Sequence, residues 1–501
     1  MKKYISILLV AVFFSSCESE LELTSPSELT AAGFWDTENG ARAAHTGLYA
    51  NLRGSYNNLF LLGEMRSDIW GGPTFETLAD ENLIKSDITT TTAPFGGWAG
   101  LYGNIHKVND FLKNVPNISF TSVADKNHLM GQAYGLRALY YYTLLKTWGD
   151  VPISLEPVTN VDPSSLGKAR SSQNEVMTQI KADITASLSA FGSNNSFYQN
   201  TRVYWSKAAT LALKGDVYIW SGNLLGGGAA DFNEAKAALQ QIASLDVSLA
   251  PSSGLWGVAN ENNKEFIFAL QYKQNEASNI YNSFTGRGTE INPKFDDKGI
   301  AMTSFVIAGS NRYGQSEKTI LLLDDNKDSR KDLTFIRLYK DNLVYPTYNA
   351  TKYFGNILNK FLGRVAGTER IFENDVPIYR YADVVLLLAE AKNLLNEDPS
   401  TEINDIRKRA YGIANYNANP TLAYVNGTKL DNTNAILNER YKEFIGEGKR
   451  WWDLRRAGNS FVFSNVSYLS PANEYKLLLP ITSDMMGRNP LLVQTPGYTN
   501  N

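Results

Sequence analysis

Apolar residues recur at helical spacing in blocks at 41–52, 98–112, 129–150, 173–188, 205–221 and 232–245, and again at 378–395, 400–410 and 434–447. Each block predicts a helix with one buried face. Two of them carry a line of small residues. Gly131, Gly135 and Ala138 share one face of the third block, and Ala208, Ala212 and Gly215 share one face of the fifth, so another element can approach closely there. Paired helices crossing at small residues are how tetratricopeptide-type arrays stack. An irregular helical bundle predicts the same pattern.

Three stretches break the helical texture. Residues 67–97 are rich in Gly, Thr and Asp and read as a long loop region. Residues 265–272 (EFIFALQY) predict a strand, and the hundred residues after it are rich in Asn, Gly, Asp and Tyr with little periodicity. The stretch 250–371 is therefore expected to be a loop-rich subdomain with short strands on a helical scaffold. The third stretch is N-terminal, where Lys2 and Lys3 precede an apolar run from Ile5 to Phe14, followed by Ser15, Ser16 and Cys17. An apolar core of about 10 residues suits a secretory signal peptide and is too short to span a bilayer. Cleavage before Cys17 would leave its thiol at the new N-terminus. The expected organisation is a signal peptide at 1–16, a polar tether at 17–33, a helical region at 34–249 and a C-terminal region at 250–501.

Composition narrows the function. Acidic and basic residues nearly balance, 51 against 48, so no global field recruits nucleic acid or anionic membrane. Cys17 is the only cysteine, and His45, His106 and His128 are scattered, which excludes a cysteine nucleophile and a zinc cluster and speaks against a histidine triad. No cofactor or metal is expected. With no second cysteine for a disulfide, the thiol at the signal boundary reads as a lipidation site of bacterial lipobox type. The chain is rich in aromatic rings, with 27 Tyr, 23 Phe and 9 Trp.

The C-terminal charges look structural. Arg380, Asp383 and Glu390 lie in an otherwise apolar helical block, so they must pair or bear a desolvation cost. Glu439, Arg440, Glu443, Arg450, Asp453 and Arg455 are the expected partners. A catalytic acid/base pair remains the alternative, since such carboxylates are defined by their separation in space. Arginine neighbours, however, depress a carboxyl pKa, which is wrong for a general acid.

Ordered motifs run the length of the chain: Gly131-Gln132-Ala133-Tyr134-Gly135-Leu136-Arg137-Ala138 leading to Trp148-Gly149-Asp150, then Pro377-Ile378-Tyr379-Arg380-Tyr381-Ala382-Asp383, then Ile403-Asn404-Asp405-Ile406-Arg407, Glu447-Gly448-Lys449-Arg450-Trp451-Trp452-Asp453, and Leu479-Pro480-Ile481 with Gln494-Thr495-Pro496-Gly497-Tyr498. In this order they resemble the SusD/RagB family of outer-membrane nutrient-binding lipoproteins. The resemblance implies a mainly α, tetratricopeptide-like helical-repeat fold with a loop-rich subdomain. It also implies a non-enzymatic role: capturing oligosaccharide or polysaccharide as a lid over a SusC-like TonB-dependent barrel, with contact to the membrane only through lipid on Cys17 and no nucleic acid.

Sugar rings present apolar C–H faces flanked by hydroxyls, so their sites combine aromatic platforms with amides, carboxylates or arginines. Two regions have that mixture. One holds Arg66, Asp68, Trp70 and Trp98; the other holds Asn279, Tyr281, Asn282, Phe284, Arg287, Asn311, Arg312 and Tyr313. Trp70, beside Gly71, Gly72 and Pro73, is expected to be exposed, whereas Trp98 opens a helix and suits either a platform or a core position. A surface glycoside hydrolase, a protein-binding helical scaffold and peptide uptake within the same family stay open as alternatives. Mass spectrometry of the mature N-terminus is expected to find diacylglycerol and a further acyl group on Cys17; an unmodified thiol would remove the anchor.

Overall fold

The structure, a computed structural model, describes residues 31–72, 80–94, 97–159, 166–307, 309 and 313–499. The signal segment, Cys17 and almost all of the tether lie outside these residues. The helical blocks form α1 (Glu38–Glu64), α2 (Ala99–Asn114), α3 (Val123–Trp148), α4 (Gln173–Phe191), α5 (Lys207–Leu224) and α6 (Gly228–Ile242). After the insert come α7 (Tyr381–Leu394), α8 (Ser400–Tyr411), α9 (Lys429–Phe444) and α10 (Arg450–Ala457). Starts are set by side chains that accept from otherwise unpaired N–H groups. Thr37, Ser122 and Ser206 cap α1, α3 and α5, and Ser172 with Glu175 forms a reciprocal capping box on α4.

Successive helices pack in pairs, α2 on α3, α3 on α4 and α5 on α6, and α6 then carries α7, which packs on α8 and α9. The small residues do what their spacing predicts. A Cβ at Gly131 would lie 3.0 Å from the Phe191 ring, one at Gly215 would lie 2.5 Å from Leu239, and one at Gly135 would lie 2.1 Å from the Trp205 indole nitrogen. At Gly135, therefore, the close neighbour is an indole just before α5 rather than a crossing helix. One apolar core runs through the scaffold, and a smaller cluster of Ile291, Met302, Leu338, Ile357 and Leu362 supports the insert.

The insert holds the short strands. β1 (Phe266–Leu270) pairs antiparallel with β7 (Val376–Arg380); β2 (Phe295–Asp296), β3 (Phe335–Tyr339) and β4 (Tyr353–Leu358) form a three-stranded sheet; β5 (Arg364–Ala366) pairs with β6 (Glu369–Ile371). The strand expected at 265–272 is thus β1. The helix expected from 378 begins instead at Tyr381. Residues 376–380 are taken into the sheet, where Phe266 faces Arg380 and Tyr381 N–H donates to Glu265 C=O at 2.8 Å. Arg380 is extended at φ −136°, ψ 163° and ends the strand. The region 67–97 is also less open than expected: it contains a helical turn, Glu81–Ile84, and Trp70 bridges to Gln315.

The buried charges form a connected network. Arg380, fully buried, binds Glu265 at 2.6 Å and Glu443 and Glu447 at 2.8 Å each. Arg409 returns to Glu265 at 2.9 Å, Lys360 holds Glu447 at 2.9 Å, and Arg330 joins Asp328 to Glu439 at 2.7 and 2.9 Å. Beside it, Arg440 bridges Asp383 and Asp453 at 2.8 Å each, and Arg456 reaches Asp216, Glu390 and Asp453. Burial works to raise the Glu443 and Asp383 carboxyls, but the surrounding cations outweigh it and hold both below the ordinary range. Of the expected partners, Glu443 meets Arg380 and Arg440 meets Asp383; Glu439 turns instead to Arg330, Arg450 to Asp68, and Asp453 to Arg440 and Arg456, while Arg455 donates to Leu477 C=O at 2.5 Å and is lowered to about 9 by burial. Replacing Arg380 by Met leaves three buried carboxylates without their central cation and is expected to cost about 3–5 kcal/mol. A lowered urea midpoint at unchanged slope would register that loss; a shift under about 1 kcal/mol would mean the network does not close the core.

Candidate functional site

The two loop regions that share aromatic and polar residues meet in space. Gly71 and Gly72 N–H both donate to Gly314 C=O, at 2.9 and 3.0 Å, and Ser316 N–H donates to Ile69 C=O at 2.8 Å. This approach requires glycine, since a Cβ on Gly72 would lie 2.0 Å from Gln315 O. From the other side comes a 3₁₀ turn, Ile280–Phe284, whose first N–H groups are served by Asn279: its Oδ1 accepts from Tyr281 N at 3.1 Å.

Rings from both sides interlock at this junction. Phe284 stacks on Tyr313 at 4.5 Å and 17°, and Trp70 leans on Phe284 at 5.2 Å and stands edge-on to Tyr313 at 5.9 Å. Phe60 and Phe361 continue the column through Tyr281, which stacks on Phe361 at 4.2 Å. The Tyr313 hydroxyl donates to Asp80, and its pKa is pushed up by burial and by that carboxylate.

These rings are buried, and that corrects the expectation that they are platforms. Trp70 is only 4% exposed, and Tyr281, Phe284 and Tyr313 are likewise buried. Gly71 and Gly72 admit the opposite strand of chain instead of exposing the indole. Asn279 is also buried, spent on capping the turn and donating to Asn374 C=O. The predicted residues left exposed at the junction are Asn282 and Arg287. Arg312 and Asn311 lie outside the described residues.

The other predicted residues serve the scaffold. Arg66 is buried over Trp451 at 4.2 Å and donates to the carbonyl of Lys476; burial lowers it to about 10. Asp68 is buried between Arg450 at 2.8 Å and Lys318 at 2.6 Å; burial raises its carboxyl, but these two cations outweigh that and hold it low. Trp98 precedes α2, buried edge-on to Trp148 and Tyr102. Asp80 and Gln315 were not anticipated. No local motif marks either one, because their partners lie more than two hundred residues away in sequence.

Among the described residues no group of three His, Cys, Asp or Glu could hold a metal ion, and no helix is long and apolar enough to cross a membrane. The carboxylates with the most arginine contacts are buried and locked in the network; Asp383, Glu447 and Asp453 line a cavity of only about 90 Å³.

A paired-helix scaffold with a strand-bearing insert and an aromatic loop junction defines a SusD-superfamily fold. NanU of B. fragilis superposes with a TM-score of 0.86 at 37% identity, over 95% of this chain and 100% of that one. A SusD superfamily protein from Bacteroides vulgatus gives 0.83 at 33% identity over 93% and 100%. The chain belongs to the SusD family: the family model described by that name matches residues 264–498, and a second, described as "Starch-binding associating with outer membrane", matches 22–219. SusD-like protein P38 of Formosa agariphila is 25% identical over 98% of each chain.

Trp70→Ala removes a core indole and is expected to destabilise the fold by about 3–5 kcal/mol, whereas Arg287→Ala should stay within about 0.5 kcal/mol. Thermal melts of the two variants test the burial directly; equal melting temperatures would place the indole at the surface.

Proposed function

We propose that this SusD-like protein binds oligosaccharide or polysaccharide at the outer membrane and delivers it to a SusC-like TonB-dependent barrel, anchored by lipid on Cys17 and facing the exterior. What carries this reading is family membership along nearly the whole chain, with both family models matching and one of them described as starch-binding. The role is capture, not bond cleavage. The buried carboxylates support this, because a general acid must hold a proton near neutral pH and reach its substrate, while Glu443 and Asp383 are held ionised and enclosed.

The ligand is met at the loop junction. The interlocked rings form a rigid base, and Asn282 and Arg287, exposed in the same loop segment as Tyr281 and Phe284, carry an amide and a guanidinium, groups that bind hydroxyl pairs. In this reading the buried rings act by fixing the loop, and the sugar contacts come from the exposed polar residues.

Affinity electrophoresis against a panel of polysaccharides is expected to show retardation by at least one polymer, with no reducing sugar released in a parallel hydrolysis assay. Substituting Arg287 and Asn282 together by Ala should weaken that binding by about ten-fold or more, as expected for losing a charged hydrogen bond, without lowering the melting temperature. Release of sugar would make the protein a hydrolase; no retardation by any polymer would refute glycan capture.

A further inference from the structure

A cleft of about 1150 Å³ opens where the insert meets the C-terminal helices, and none of its lining residues belongs to the aromatic junction. One wall is residues 249–253 with the end of α8 and Tyr411 to Ile413; the other is the turn 326–333 with Asp297 and residues 344–346. The walls are tied at their base. Ser329 N–H donates to Ala410 C=O at 2.9 Å, Ser329 Oγ donates to Ser252 Oγ at 3.0 Å, and Ser252 Oγ donates to Arg409 C=O at 3.2 Å. Arg409 and Asp328 below them belong to the buried ion network, so the cleft is preformed and stiff.

Its surface chemistry is specific in kind. One tyrosine ring, that of half-buried Tyr411, is fixed by its hydroxyl, which donates to Asp325 at 3.0 Å; Tyr345 is buried, stacked on Tyr339 and donating to Asp341 at 2.7 Å, and stiffens the wall behind it. Val344 and Ile413, one from each wall, add exposed apolar faces at 66% and 69%. Charges on the walls are largely cancelled in pairs, Lys408 with Asp405 at 3.1 Å and Lys298 with Asp332 at 3.5 Å. Exposed Ser253 and Lys327 supply a hydroxyl and an ammonium.

We propose that this cleft is a second contact site for a neutral oligosaccharide, so that a long chain is held at two places on the protein while a short one is held at one. The inference rests on the glycan-binding reading above. Paired charges give no field that would select a polyanion. No strand lines the cleft, so it has no open sheet edge for an extended peptide. A fixed ring at Tyr411 and exposed C–H faces, interleaved with hydroxyl, ammonium and carboxylate groups, are what a polyhydroxylated ring requires.

The test uses the full chain and short and long oligosaccharides cut from whichever polymer retards it, titrated calorimetrically. Ser253→Ala removes a hydroxyl and Lys327→Ala removes an ammonium from the cleft; both positions are exposed, and melting curves verify the fold. Each variant is expected to weaken binding of the long oligosaccharide about five-fold or more, the scale of one or two lost hydrogen bonds, and to leave the short one unchanged. The junction variants at Asn282 and Arg287 should weaken both. Unchanged long-chain affinity in both cleft variants overturns this inference while leaving glycan capture intact. Binding of a peptide library that the cleft variants abolish, with glycan affinity unaltered, also overturns it. If the unmodified protein binds no glycan, the inference falls together with the reading it rests on.

Discussion

A charge taken out of water must be met by an opposite charge, and in this protein that requirement fixes how the chain closes. Arg380 sits with no exposure at the point where β7 becomes α7, and the carboxylates that neutralise it come from the start of β1 and from the end of α9 and the turn after it. The insert leaves and re-enters the scaffold through those two strands. Its position is therefore set less by its own small core than by ion pairs that only one arrangement of segments satisfies. The cleft walls and the loop junction inherit their rigidity from this, since Arg409 and Asp328 lie under one and Asp68, held by Arg450, under the other.

The loop junction follows a related logic with neutral groups. Two irregular segments, each without a core of its own, gain order by interdigitating rings and by main-chain bonds made possible at Gly71 and Gly72. Burying four rings there stabilises the loops, and it leaves recognition to the residues at the edge. A ligand surface made this way presents side chains on a base that does not need to rearrange.

Much of the helical scaffold was legible because amphipathic spacing is local: α2, α4 and α8 begin and end within a few residues of the positions the pattern predicts. The strand at 376–380 was not, since it runs into α7 with no turn signal between them and only pairing with β1 separates the two. Some charges within the C-terminal motifs were recognisable as partners, yet Glu265, Arg330, Arg409 and Glu447 were not among those expected; their burial is a tertiary fact. The two aromatic regions stood out by composition, but nothing in the sequence showed that they meet, since their contacts join residues more than two hundred positions apart. The burial of Trp70 was not, because a Gly-Gly pair suits both an exposed turn and a close approach.

The network's partners also carry a timing. Glu265 and Arg380 are separated by more than a hundred residues, and the residues that complete the charge clusters reach as far as Arg456 in a chain of 501. Contacts of such long sequence separation form late and slowly. The charge clusters therefore close only when nearly all of the polypeptide is present, after the helices of the first half can already have packed on one another.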